Sequence, residues 1–293
     1  GTDEAARKGL TSQRMASTIK FSESFPQDSN TTVVMQGITQ FIYDHYQEYD
    51  DTAKQLTKDL EAQITRIVAT LPEDKNSALL LQGQTNLYLH FKDFDSAVRS
   101  AQALLAINPP VDQTLRLEAA TVVADAQFDK GNLEDADKSY QQVLAFDIKD
   151  TKLKARYQDR LATTYYRQAE KLRDEKNPEL AAQAFLKAAD MAADTKLKAT
   201  ADFDAATVLL NAEKFKEAIP VLIAFRTRHP DSPLSQDIPE KLAVAYEKSD
   251  DLGNAALQYQ AIAARDQKKN PAASREALWL AAETFEKIKQ PEQ

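Results

Sequence analysis

Residues 205–230 read AATVLLNAEKFKEAIPVLIAFRTRHP, and their spacing decides the fold. Ala206 and Leu209 stand one helical turn apart, and Ala218, Leu222 and Phe225 follow at i, i+4 and i+7. Each set lies on one face of an α-helix. The Asn-Ala-Glu-Lys segment between them breaks the apolar rhythm, and Pro230 halts the second helix. The stretch therefore predicts two helices folded back on each other. Ala206 and Ala218, twelve residues apart, mark where they come closest, because a larger side chain there would push the helices apart.

The same arrangement recurs outward in both directions. The Ala at the second-helix anchor appears at 97, 136, 181, 218 and 255, with spacings of 39, 45, 37 and 37 residues. Twelve residues before each anchor stands Thr85, Ala124, Ala169, Ala206 or Ala243. Four residues after it stands Ala101, Tyr140, Phe185, Leu222 or Tyr259, and seven after it Leu104, Val143, Ala188, Phe225 or Ile262. The bulky residue at the fourth place is expected to fill the space between neighbouring hairpins. Turn residues fall between the helices, as in Lys130-Gly131-Asn132, Glu175-Lys176-Asn177-Pro178 and Ser249-Asp250-Asp251.

The ends carry the same design in poorer register. Met15 to Phe21, closed by Phe25-Pro26-Gln27-Asp28-Ser29, echoes Val221 to Phe225, closed by His229-Pro230-Asp231-Ser232. Asp28 or Ser29 is expected to cap a helix through Val33 to Tyr46, and Asp50-Asp51-Thr52 to open another through Leu56, Leu60, Ile64 and Ile67. Leu278, Ala281, Ala282 and Phe285 read as a first helix whose partner is missing, with Trp279 expected in core or end packing. The register divides the chain into residues 1–77, degenerate helices, and 78–293, clear repeats. The chain is expected to begin and end inside the array. Its opening, Gly1-Thr2-Asp3 with no initiator Met, fits a removed leader or a cloned fragment.

Composition agrees. The 293 residues include 46 Ala and only 6 Gly, and Ala is the best helix former while Gly is among the poorest. Gly-rich nucleotide folds, β-sandwiches and disorder are disfavoured. With 37 Lys and Arg against 45 Asp and Glu, the net charge is −8, and no basic block exceeds a pair such as Lys268-Lys269. Nucleic-acid binding needs clustered cations to displace phosphate counterions, so it is not expected. The longest apolar run, Ala277 to Ala282, falls far short of the ~18 residues of a membrane span.

Chemistry is sparse. The absence of Cys removes disulfides and thiolate ligation. His45, His90 and His229 are unconnected in sequence and match no metal spacing, and no phosphate-cradling Gly loop or nucleophile elbow occurs. The carboxylates at Glu134-Asp135-Asp137, Asp147/Asp150 and Asp250-Asp251 stand beside turns, where they suit helix N-termini. Arg156, Arg160 and Arg167, with Asp159 and Glu170 interleaved, suggest a salt-bridged helix face. The expectation is a protein that is not an enzyme and holds no cofactor or metal.

Leu242-Ala243 with Tyr246, Ala181-Phe185-Ala188, and the closing Pro109 and Pro230 resemble the marks of the tetratricopeptide repeat (TPR) family. The units exceed the family's usual length of about 34 residues. Long units with Pro-closed endings are similar to TPR proteins of bacterial envelopes, such as accessories of outer-membrane assembly, Tol-Pal or gliding motility. The resemblance implies an all-α, right-handed superhelical solenoid of TPR-like helix hairpins. It also implies a periplasmic or outer-membrane-associated location, with the cytoplasm as the alternative.

First helices of such hairpins line a concave groove. Register places Gln82, Asn86, Thr121, Asp125, Phe128, Tyr166, Phe203 and Thr207 there. A Lys-rich carboxylate clamp does not fit this set. Aromatics flanked by amides and hydroxyls suit a helix or extended peptide. The function expected is a non-catalytic scaffold for a protein or peptide partner within an assembly. The alternative is a structural module of a longer envelope protein that self-associates through its ends.

Overall fold

The computed structural model describes residues 2–48 and 50–288, so Gly1 and residues 289–293, the outer limits of the two register segments, lie outside the described residues. Every regular element among the described residues is helical. The chain divides into two compact units, Gly1–Asp147 and Ile148–Gln293. The first holds α1 (Thr2–Ser24), α2 (Asn30–His45), α3 (Asp51–Thr70), α4 (Lys75–His90), α5 (Phe94–Leu105), α6 (Gln113–Asp129) and α7 (Leu133–Leu144). The second holds α8 (Thr151–Asp174), α9 (Pro178–Met191), α10 (Thr195–Asn211), α11 (Phe215–Arg228), a short 3-10 turn at Pro233–Asp237, α12 (Ile238–Lys248), α13 (Leu252–Asp266) and α14 (Pro271–Lys287). The fold is an all-α array of helix hairpins, each packed on the next within its unit.

All five hairpins from α4–α5 to α12–α13 turn the same corner. Five residues before each anchoring Ala lies one residue in the left-handed region: Lys92 (φ 59°), Gly131 (76°), Lys176 (61°), Glu213 (58°) and Asp250 (63°). The next residue's N–H reaches back to a carbonyl in the last turn of the first helix: Asp93 to Tyr88, Asn132 to Gln127, Asn177 to Leu172, Lys214 to Leu209 and Asp251 to Tyr246, all at 2.9 Å. This is a Schellman closure, which satisfies carbonyls that the helix end leaves open. The donating residue then N-caps the second helix, and the Asp93 and Asp251 carboxylates accept from the N–H groups of Ser96 and Asn254. First helices start on aspartates as well: Asp74, Asp112, Asp150 and Asp194 each accept a first-turn N–H.

Packing follows the register. The anchors Ala97, Ala136, Ala181, Ala218 and Ala255 are buried, and so are Thr85, Ala124, Ala169, Ala206 and Ala243 twelve residues earlier. Two of the aromatics four residues after the anchor meet a ring of the facing first helix, and Phe185 also joins a core cluster with Ala205, Val208 and Leu209 of the next hairpin, as expected. Tyr140 packs edge-on against Phe128 and Phe185 against Tyr166, each in its own hairpin, with ring centroids 6.4 and 4.9 Å apart. The α-helical stagger points these rings back at the facing first helix. In the N-terminal helices Met15, Ile38, Ile42, Leu56, Leu60, Ile64 and Ile67 form one core with α4 residues Leu80 and Leu87.

Three closing loops share one design that the sequence pattern only hinted at. In Phe25-Pro26, Leu71-Pro72 and His229-Pro230, the carbonyl before the Pro accepts the hydroxyl six residues on, from Thr31 (2.6 Å), Ser77 (2.7 Å) and Ser235 (2.5 Å). Three residues after that carbonyl, Asp28, Asp74 or Ser232 accepts the N–H two places further along. Asp28 thus fills the capping role expected of it. Two expectations are corrected at α14 and α8. Trp279 is 72 % exposed and Leu278 53 %, because α14 seats Ala277, Ala281 and Phe285 inward and turns those two outward. Asp159 does not lie in a salt-bridged row with its arginines. It accepts the N–H groups of Ala193 and Asp194 at 2.8 and 2.9 Å and ties down the α9–α10 turn. Among the described residues, no helix is long and apolar enough to cross a membrane.

Candidate functional site

The first helices α2 and α4 of the first unit enclose a cleft of about 800 Å3. Gln36, Gln40 and Tyr43 rise from α2 at i, i+4 and i+7, next to the Met35, Ile38 and Ile42 stripe that faces the core. Leu79, Gln82, Asn86, Leu89 and His90 rise from α4. Thr39 and Gly83 form the floor, where a Cβ on Gly83 would stand 3.6 Å from the Thr39 methyl, an ordinary contact. Among the described residues, no Lys, Arg, Asp or Glu lines the cleft.

Acids stand just outside it and hold two of its amides. Gln40 donates through Nε2 to Asp44 at 2.8 Å, and Gln82 donates through Nε2 to Glu118 on α6. At the far end the His90 ring packs 4.6 Å from Tyr43, and its Nε2 meets the Tyr46 carbonyl at 3.0 Å. A carbonyl can only accept, so Nε2 carries the proton in that bond.

Of the residues expected in the groove, the structure brings Gln82 and Asn86 together in this cleft. Thr121 is half-buried and donates its hydroxyl to the Leu117 carbonyl at 2.8 Å. Asp125 accepts from the Tyr140 hydroxyl, and Phe128 is buried against the Tyr140 ring, so Phe128 presents no open surface. In the second unit Tyr166 donates to Asp204 at 2.5 Å. Burial and the Asp204 carboxylate push the Tyr166 phenol well above its ordinary value. Phe203 rests edge-on against Phe225 at 5.7 Å, with the Lys241 ammonium 5.1 Å from its ring centre, and Thr207 donates to the Phe203 carbonyl at 2.9 Å. The Tyr166–Asp204 and Phe203–Lys241 contacts link neighbouring hairpins, while the Thr207 bond stays within α10. Sequence reasoning missed Gln36, Gln40 and Tyr43, although their spacing was a readable signal for a polar helix face.

His45 Nδ1 meets the Phe41 carbonyl at 2.9 Å, while His229 Nε2 meets the buried Asp202 carboxylate at 2.7 Å, which also takes Arg228 at 3.1 Å. That cluster pairs a buried charge and fixes the end of α11. Among the described residues, no group of three His, Cys, Asp or Glu side chains gathers to hold a metal.

No protein-family model matches the chain, and no curated protein matches it. Solved structures do. BtubC from P. vanneervenii is 18 % identical, with a TM-score of 0.35, and the match covers 69 % of this chain and 84 % of that one. The C-terminal part of a TPR repeat-containing protein from Cytophaga hutchinsonii is 15 % identical, with a TM-score of 0.39, over 92 % of this chain and 96 % of that one. The TPR2AB domain of yeast Sti1, in its pHSP90 complex, is 13 % identical, with a TM-score of 0.35, over 88 % of this chain and 99 % of that one.

Proposed function

We propose that this protein is a non-catalytic interaction scaffold that holds a peptide segment of a protein partner in the α2–α4 cleft. The observation that carries this reading is the cleft's lining, with uncharged amides beside Tyr43, Leu79 and Leu89. Amides match the hydrogen-bonding groups of a peptide backbone, and half-exposed apolar side chains offer an anchor site. The test is selection of a random nonapeptide display library on the full chain. Binders should bind the parent chain and lose most of their affinity for Asn86→Arg, which fills the cleft from an exposed position without touching the core. Binders indifferent to Asn86→Arg, or no binders at all, would refute this reading.

A second reading, self-association, is favoured by one observation: Leu278 and Trp279 stand exposed side by side on α14. Light scattering across protein concentration tests it. A mass that stays monomeric throughout, or an oligomer unaffected by Leu278→Ser with Trp279→Ser, would remove it.

A further inference from the structure

The chemical class of the ligand follows from how the cleft's amides are held, and the inference rests on the peptide-scaffold reading above. We infer that the α2–α4 cleft selects an extended peptide segment that lacks acidic side chains and carries neutral or basic ones. Gln40 and Gln82 stand on opposite walls, and in each the NH2 end of the amide is committed to an acid outside the cleft, Asp44 and Glu118. Each amide thus commits one of its two N–H donors and keeps its carbonyl oxygen and one N–H to offer. The two walls therefore each present a carbonyl acceptor beside one remaining N–H. Backbone N–H groups of successive residues in an extended chain point to opposite sides and so reach acceptors on the two walls in turn. Gln36 and Asn86 lie one turn from these two on the same walls and supply an amide to pair with backbone C=O as well as N–H.

Charge sets the rest of the preference. Among the described residues no Lys or Arg lines the cleft, and Asp44 and Glu118, which hold its amides from just outside, are negative. An acidic side chain or a free C-terminal carboxylate would meet like charge with no lining Lys or Arg to offset it, which selects against it. A Lys or Arg beside the apolar anchor gains from both acids at once.

The nonapeptide selection decides this as well, through the composition of the binders that depend on Asn86. They should be depleted several-fold in Asp and Glu relative to the unselected library. The best binder, made synthetically with an amidated C-terminus, should bind about 3–10-fold more weakly to Gln40→Leu and to Gln82→Leu, the loss expected for one hydrogen bond. Methylation of its backbone nitrogens should weaken it similarly. Asp44→Asn with Glu118→Gln keeps acceptors for the two amides and should erase any preference for Lys over Ser in the peptide. Urea midpoints within error of the parent show that each variant is folded. Asn86-dependent binders rich in Asp or Glu, or affinities unmoved by Gln40→Leu and Gln82→Leu, would overturn the inference while leaving the scaffold standing. Absence of Asn86-dependent binders would overturn both.

Discussion

The five hairpin corners place one residue each in the left-handed region, and only one of the five is glycine, Gly131. Gly131→Ala isolates the conformational cost of that corner. A Cβ built on Gly131 meets nothing within 4 Å, so the substitution creates no clash. The hydrogen bonds from Gly131 N–H to the Phe128 carbonyl and from Asn132 N–H to the Gln127 carbonyl use backbone atoms that the change leaves in place. What remains is the left-handed cost for a residue with a Cβ, about 1–2 kcal/mol. The narrower unfolded ensemble of Ala offsets this by about 0.4–1 kcal/mol. The net loss should be about 1 kcal/mol, roughly fivefold in the folded-to-unfolded ratio. At a urea m-value of about 2 kcal/mol/M, that moves the midpoint down by about 0.5 M, with m unchanged, in a titration followed by circular dichroism. Lys176→Gly and Glu213→Gly, made at the equivalent corners, should raise stability by about 0.5–1 kcal/mol each for the reverse reason. An unchanged or raised midpoint in Gly131→Ala, or a fall in both reverse variants, would show that these corners are not left-handed and would refute the common geometry.

Three further outcomes are expected. Ala206→Leu adds bulk at a fully buried notch facing the second helix and should cost about 1–3 kcal/mol in the same titration, whereas Leu257→Ala, at an exposed site, should cost under about 0.5 kcal/mol. Ser77→Ala removes the buried hydroxyl bonded to the Leu71 carbonyl and should cost about 1–2 kcal/mol; a loss no larger than that at an exposed serine would mean the closing loop does not depend on it. Asp112 accepts the Thr114 N–H at 2.8 Å, which holds its carboxyl below the ordinary range. Its contribution is therefore complete above about pH 4, the unfolded value, and is lost as the pH falls through the folded value. The stability difference between the parent and Asp112→Asn, which keeps an acceptor but does not titrate, should shrink from about pH 5 to about pH 2. A difference constant across that range would count against the capping role.

Helix pairing was legible because it is written in spacing that local physics enforces. Each Ala notch and its partner twelve residues on had to be small for two backbones to approach, and all ten positions are buried. The N-terminal helices were legible for the same reason, through the Leu56, Leu60, Ile64 and Ile67 stripe. What spacing cannot reveal is which of two faces a bulky residue chooses. Phe128 and Tyr166 turned toward the second helix of their own hairpin, where Tyr140 and Phe185 offered ring contacts; Phe128 is buried there, while Tyr166 stays half-exposed. Trp279 was misjudged because a short apolar run records no direction, while α14 has one packed side only. The cleft itself was half legible. Register carried Gln82 and Asn86 to it, but the opposite wall comes from α2, where the repeat is too worn to align.

The Pro-closed loops have a consequence for how such a chain can grow. Each is tied by a short-range bond, from the carbonyl before the Pro to the hydroxyl six places on, in the first turn of the element that follows. A joint that carries its own fastening is portable. Whole hairpins could be duplicated, excised or exchanged at Phe25, Leu71 or His229 with the splice still folding correctly, which makes these three sites natural seams for recombination and the places to cut when shortening or extending the array by hand.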